Sequence, residues 1–279
     1  MLTQLCIRLI PLLIQGATST GGLTALKGRN WVNKILAGII GPDSFSPRQL
    51  PLRSLEKPRG GDVHLWHLDL GQLSNPLNSS STVDTGGQSV FQQRATRRFY
   101  LRLLLGAYLG LPGKDVRITR RVKGRPELDS GQTNSELNFN VAWSSGCYLV
   151  GVNSGATIGV DMESAARKPG NPMALARRYF SQQEISALSG FKGSELQRAF
   201  MHTWACKEAI VKASGLGIAN QLCRFTVDVN PGNPPAVLDM RDDDPAAWKL
   251  AMAEPAPDSI AAIAVRQEEL RLKGFSLSK

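Results

Sequence analysis

The sequence predicts an α+β protein built as two similar halves that meet near Ile158. Three observations carry this. Strand-like and helix-like segments run strand, helix, strands, then strand, helices, strands, instead of alternating one by one. Turn residues punctuate the chain at Gly124-Arg125-Pro126, Ser145-Gly146 and Gly215-Leu216-Gly217. At 279 residues, 42% hydrophobic and 20% charged, the composition is globular and the length suits one large domain or two smaller ones.

The elements follow in order. Asp62–Leu70 alternates as a strand, with Trp66, Leu68 and Leu70 on one side and His67 and Asp69 on the other. Leu73–Ser89 is a polar loop. Gln92–Leu109 reads as a helix with Phe99, Leu103, Leu104 and Tyr108 on its apolar face. Val116–Thr119 is a strand, and Phe139–Trp143 with Tyr148–Val152 form a hairpin. Ala156–Val160 is a short buried strand with an acidic end. Three helices follow: Asn171–Tyr179, with Pro172 suited to its first turn, then Ser181–Ser189 and Ser194–Ser214. Gly215 suits the left-handed position that stops the last of these. Phe225–Val229, Ala236–Met240, Trp248–Met252 and Ile260–Val265 close the chain as strands.

Residues 1–58 read as a poorly ordered N-terminal extension, 59–157 as one subdomain and 158–279 as the other. Met1–Pro42 holds no acidic residue, and its apolar run Leu5–Ile14 is broken by Arg8 and Pro11, too short to span a membrane. The expectation is no membrane. Deleting Met1–Gln49 is expected to leave function intact.

The net charge of +10 favours anionic partners. Its basic residues are scattered, without a nucleic-acid-binding signature, so nucleic acid is not the expected partner. The four cysteines, Cys6, Cys147, Cys206 and Cys223, form no Cys-x-x-Cys pair, which points away from zinc and toward a reduced cytoplasmic setting. His64 and His67 fall three apart on a strand and face opposite sides, so they make poor co-ligands.

Two acidic motifs carry chemistry: Ile158-Gly159-Val160-Asp161-Met162-Glu163, and Trp204-Ala205-Cys206-Lys207-Glu208-Ala209-Ile210-Val211-Lys212. If the strand continues, Asp161 and Glu163 project together, and paired carboxylates call for a cation or a basic neighbour. Glu208 and Lys212 share a helix face at i and i+4, with Lys207 one position round. Taken singly, these are an acidic turn and a surface ion pair. Jointly, three hard oxygen ligands and two lysines match a Mg²⁺-dependent reaction on a phosphate ester. On the first helix, Arg94, Arg98 and Arg102 form a stripe that is either solvated or anion-facing. Arg120, Lys123 and Arg125 border a loop able to hold phosphate.

Gly-Val-Asp-x-Glu followed by Trp-x-x-Lys-Glu-Ala-x-x-Lys resembles the Sfp-type 4′-phosphopantetheinyl transferases. Lys123-Gly124-Arg125-Pro126 is similar to that family's Gly-Lys-Pro segment, Phe139–Ser144 to its Phe-Asn-x-Ser-His-Ser segment, and Tyr179-Phe180-Ser181 with Glu184 to its Phe-Phe-Ser-x-x-Glu segment. The resemblance spans Asp62 to Val265. It implies two subdomains related by a pseudo-two-fold axis, with the active site in the cleft between them. It further implies transfer of 4′-phosphopantetheine from coenzyme A to a serine of an acyl or peptidyl carrier protein; a monomer is the default expectation. On this reading Asp161, Glu163 and Glu208 hold Mg²⁺, Glu208 is the base, and Lys212 serves the leaving phosphate. Arg98, Arg120, Lys123, Arg125, Asn140, Trp143, Lys207 and Lys212 contact coenzyme A. The family's Ser-His pair is Ala142-Trp143 here, so a charged contact to the 3′-phosphate is replaced by an indole. That departure keeps a second reading open, a catalytically degenerate homologue that binds coenzyme A or a carrier protein. A basic nucleic-acid-binding protein is a third, resting on charge alone.

Overall fold

Alternating side chains decide how two sheets stack. In the computed structural model, which describes residues 39–73, 90–120, 124–132, 136–144, 146–164, 169–215, 217 and 221–278, one sheet has the order β2-β13-β3-β7-β6. Its strands are Phe45–Gln49 (β2), Asp62–Asp69 (β3), Leu137–Ser144 (β6), Cys147–Ser154 (β7) and Arg271–Ser278 (β13). A second sheet, β1-β11-β12-β8, uses Ile39–Ile40 (β1), Ile158–Ser164 (β8), Trp248–Ala253 (β11) and Ser259–Arg266 (β12). Two small ribbons pair Ile118–Arg120 (β4) with Pro126–Leu128 (β5), and Phe225–Val227 (β9) with Val237–Met240 (β10).

Val63, Leu65 and Leu149 of the first sheet share a core with Ile158, Val160, Met162, Ile263 and Val265 of the second. The opposite faces are covered by helices. Trp66, Leu68, Val150 and Val152 pack with helix α1 (Val90–Leu109). Met252, Ala262 and Ala264 pack with α2 (Pro172–Tyr179), α3 (Gln182–Leu188) and α4 (Gly193–Ser214). The result is a mixed α+β stack of helix, sheet, sheet and helix. Each sheet is covered on both faces, which is why β7 and β8 are buried along nearly their whole length.

Local signals place the helix ends where the sequence puts them. Asn171 caps α2 by accepting from the Ala174 N–H, with Pro172 in the first turn. Ser181 and Glu184 form a capping box on α3. Gly215 stops α4 at φ 68°, the left-handed C-cap expected of it.

The structure corrects three expectations. Residues 39–58 are not a loose extension: β1 pairs in parallel with β11, and β2 with β13. Nor does 158–279 stay in one half, because β13 lies between β2 and β3 in the other half's sheet. Its parallel partners lie far away in sequence, so no local pattern announces it. Phe99 is 44% exposed; the buried face of α1 runs through Thr96, Tyr100, Leu101, Leu104, Leu105 and Tyr108. The N-terminal deletion is therefore expected to do harm. Removing Met1–Gln49 takes away both β1 and β2, uncovers an edge of β13, and should lower the thermal midpoint clearly; an unchanged midpoint would contradict this pairing. Among the described residues no helix is long and apolar enough to cross a membrane.

Two histidines report on the core. His64 Nδ1 lies 2.8 Å from the Tyr108 hydroxyl, which also accepts from the Trp66 indole N–H at 2.8 Å. Burial pushes both His64 and His202 down to about 4. The unfolded chain takes up these protons near pH 6.5, before the native state does. Their contribution to stability is thus complete above about pH 6.5 and is lost as pH falls toward 4. Urea midpoints should drop between pH 7 and 5, and His202→Asn should flatten that slope. A midpoint constant over this interval would rule the effect out.

Candidate active site

Strand β8 lies at the edge of its sheet, and α4 rests on it at Gly159. A β-carbon on Gly159 would sit 1.9 Å from the Ala209 carbonyl oxygen and 2.5 Å from the Ala213 nitrogen. Both are backbone atoms that no rotamer change can move. Gly159→Ala is therefore expected to destabilise by about 1–3 kcal/mol or more. Gly41→Ala, where nothing lies within 4 Å, should be nearly neutral. Equal thermal midpoints for the two variants would contradict the close approach.

With Gly159 facing the helix, alternation turns Asp161 and Glu163 to the same side, because β8 runs unbroken to Ser164. From α4, Lys212 Nζ donates to Asp161 Oδ1 at 2.7 Å and to the Val160 carbonyl at 2.9 Å. Glu208 lies one turn earlier on the same helix. Burial opposes charge on Lys212, but Asp161, Glu208 and Glu163 outweigh it and hold the ammonium's pKa above its ordinary value. Asp161, Glu163 and Glu208 are all buried. Asp161 Oδ2 is buried without a hydrogen-bond partner. Lys212 thus stands in the field of all three carboxylates, in direct contact with Asp161, and one Asp161 oxygen is left without a hydrogen bond. Among the described residues no three His, Cys, Asp or Glu side chains are grouped to hold a metal ion; the cation in contact with Asp161 is Lys212.

Other expected contacts have different work. Lys207 is not available to a phosphate. It is fully buried, donates to both Glu184 carboxylate oxygens at 2.6 and 2.8 Å and to the Phe225 carbonyl at 2.6 Å, and lies over the Phe180 and Phe225 rings. Glu184 Oε1 also accepts from the Val227 N–H. Arg125 donates to the Lys212 and Ala213 carbonyls at 2.8 Å and to the Ile158 carbonyl at 3.1 Å, fastening the end of α4 to β8. A guanidinium near unpaired terminal carbonyls is favourably placed against the helix dipole. Asn140 is buried and accepts from the Val160 N–H at 3.0 Å, bridging β6 to β8. Three groups expected on a ligand thus satisfy backbone or a buried ion pair instead.

Trp143 packs with the α1 side of its sheet and lies under the Arg97 guanidinium, 4.7 Å from the ring centroid. Arg97 is the residue sequence reasoning missed. It falls between the predicted Arg94, Arg98 and Arg102, and its partner is on a strand that no helical periodicity includes. Arg98 is exposed on α1. Arg120 is exposed and donates to the Gly124 carbonyl at 3.1 Å. Lys123 and most of Leu73–Ser89 lie outside the described residues.

Comparison with known proteins meets this geometry at the same residues. Residues 157–265, from the residue before β8 to the last residue but one of β12, match the family model of the 4′-phosphopantetheinyl transferase superfamily. The 4′-phosphopantetheinyl transferase HetI of a Nostoc species is 31% identical over 214 residues, covering 73% of this chain and 87% of HetI. The chain belongs to the 4′-phosphopantetheinyl transferase superfamily. A putative 4′-phosphopantetheinyl transferase, slr0495 of a Synechocystis species, is 32% identical over 160 residues, 57% of this chain and 63% of that one. A holo-(acyl-carrier-protein) synthase of Bacillus anthracis aligns with 39% of this chain and 93% of its own at TM-score 0.31 and 21% identity, too slight a likeness to argue from. For this superfamily member, the matched span contains Asp161, Glu163, Glu208 and Lys212, whereas Arg97, Arg98, Arg120 and Trp143 fall outside it.

Proposed function

We propose that this chain transfers the 4′-phosphopantetheine group from coenzyme A to a serine hydroxyl of an acyl or peptidyl carrier protein, releasing adenosine 3′,5′-bisphosphate. The observation that carries it is the cluster on β8 and α4: three buried carboxylates around Lys212, with Asp161 Oδ2 unmet, inside the span the superfamily shares. The donor set is hard oxygen, which suits Mg²⁺. Asp161, Glu163 and Glu208 would hold that ion, which when bound neutralises charge on the diphosphate. Glu208 accepts the serine proton as the hydroxyl attacks the phosphorus. Lys212, kept protonated by its neighbours, donates to the departing phosphate oxygen. Arg98, Arg120 and Lys123 remain to contact the coenzyme's other phosphates. We read the enzyme as a holo-[acyl-carrier-protein] synthase type transferase, cytoplasmic and monomeric.

One observation favours a second reading, a homologue that binds without transferring. Lys207, Arg125 and Asn140 are engaged within the fold, which thins the set left for coenzyme A. A single experiment separates the two. The full chain is incubated with coenzyme A, Mg²⁺ and apo-carrier proteins of fatty acid, polyketide and peptide synthesis, and intact mass is read. Gain of one phosphopantetheinyl group on any carrier supports transfer. Coenzyme A binding by calorimetry with no mass gain on any carrier supports the second reading.

A further inference from the structure

A concavity lies away from the carboxylates, on the five-stranded sheet where Gln49–Glu56 crosses the end of α1. Its volume is about 690 Å³, within the range of small-molecule sites. The crossing segment is tied down at both ends: the Leu50 N–H donates to the Ser278 carbonyl at 3.3 Å, and the Leu55 N–H to the Ala107 carbonyl at 2.9 Å. Half-buried Phe275, with His64 and Tyr108 beside it, forms the floor, and Leu52 and Leu55 form an apolar wall.

The floor is rigid and polar at one point. Trp66 stacks on Phe275 with ring centroids 4.9 Å apart and donates its N–H to the Tyr108 hydroxyl. His64 Nδ1 shares a hydrogen bond with that hydroxyl at 2.8 Å. That hydrogen bond, with the Phe275 ring 5.2 Å from its own, holds the His64 imidazole in place. The rim is cationic. Arg48 lies over Phe275 at 5.3 Å from the ring centroid, and Arg53 and Lys273 complete the rim against a single carboxylate, Glu56. Lys273 is occupied by Asp62 at 2.6 Å. Among the described residues neither Arg48 nor Arg53 is paired with a carboxylate.

We propose that this concavity is a second binding site, for a small organic anion with a flat apolar body. The carboxylate of such a ligand is met by Arg48 and Arg53, and its body lies against Phe275, Leu52 and Leu55. Guanidinium groups suit a carboxylate because they present paired N–H donors in its plane. A neutral ligand of the same shape would leave both cations unanswered.

The test uses the full chain and two probes of matched shape, 2-naphthoate and 2-naphthamide, titrated by calorimetry. The anion is expected to bind at least tenfold tighter. R48Q/R53Q should abolish that preference while circular dichroism, thermal midpoint and carrier modification stay as in the parent. Ligand-observed saturation transfer should come from Phe275 and Leu55 in the parent and be lost in L55D, with the midpoint checked alongside. The proposal is overturned if neither probe binds, if both bind equally, or if 2-naphthoate binds R48Q/R53Q as tightly as the parent. Neither arginine lies among the β8 and α4 residues, so failure here leaves the transferase reading intact.

Discussion

Glu208→Gln is expected to leave a folded protein that modifies carrier proteins about 10²–10⁴-fold more slowly, the range lost with a general base. The substitution keeps shape and volume in a buried position, so packing on β8 is retained. It removes a negative charge beside Lys212, whose raised pKa depends partly on Glu208. Activity and folding together check the assignment. Single-turnover carrier modification should fall, while circular dichroism and the thermal midpoint stay near those of the parent. A folded variant with near-parental turnover would remove Glu208 from the reaction.

The second large effect is on stability. Lys207→Ala should cost about 3–5 kcal/mol, since it leaves Glu184 buried without its cation. The ammonium makes three hydrogen bonds that join α3, α4 and β9 in one place. Lys207→Ala with Glu184→Leu should recover part of the loss, because removing both charges also removes the burial penalty. Urea unfolding measures each. Coenzyme A affinity, corrected for folded fraction, should stay close to parental. A variant of parental stability that binds coenzyme A weakly would return Lys207 to the ligand-contacting set.

The sequence made the β8 and α4 pairing legible because both signals are local. An apolar strand ending in alternating carboxylates, and a helix with i and i+4 charges, each state their own geometry, and Lys212 on Asp161 joins them. What single residues do was less legible. Lys207 and Glu208 are neighbours in one motif, yet a helix turns adjacent positions about 100° apart. One side chain faces the strand, and the other enters an aromatic box formed by Phe180 and Phe225, distant in sequence. Arg125 looks like a phosphate ligand in a glycine- and proline-flanked loop, and only the folded chain shows three carbonyls waiting for it. The strands β1, β2 and β13 escaped notice for a related reason. Each pairs in parallel with a segment remote along the chain, and β2 even carries Pro47.

The placement of β13 also sets a timetable for biosynthesis. Strands β2 and β3 do not pair with each other; both hydrogen-bond to Arg271–Ser278. While the ribosome is still adding that stretch, β2 has no sheet partner and β3 has only β7. The β3–β7–β6 meander and the α4-covered sheet can therefore form before β13 is made, but this strand must insert between two that lie far earlier in the sequence. Such long-separation pairing is slow relative to local hairpin formation. Until it happens, the facing edges of β2 and β3 stay unpaired, and unpaired strand edges are the ones open to pairing with other chains.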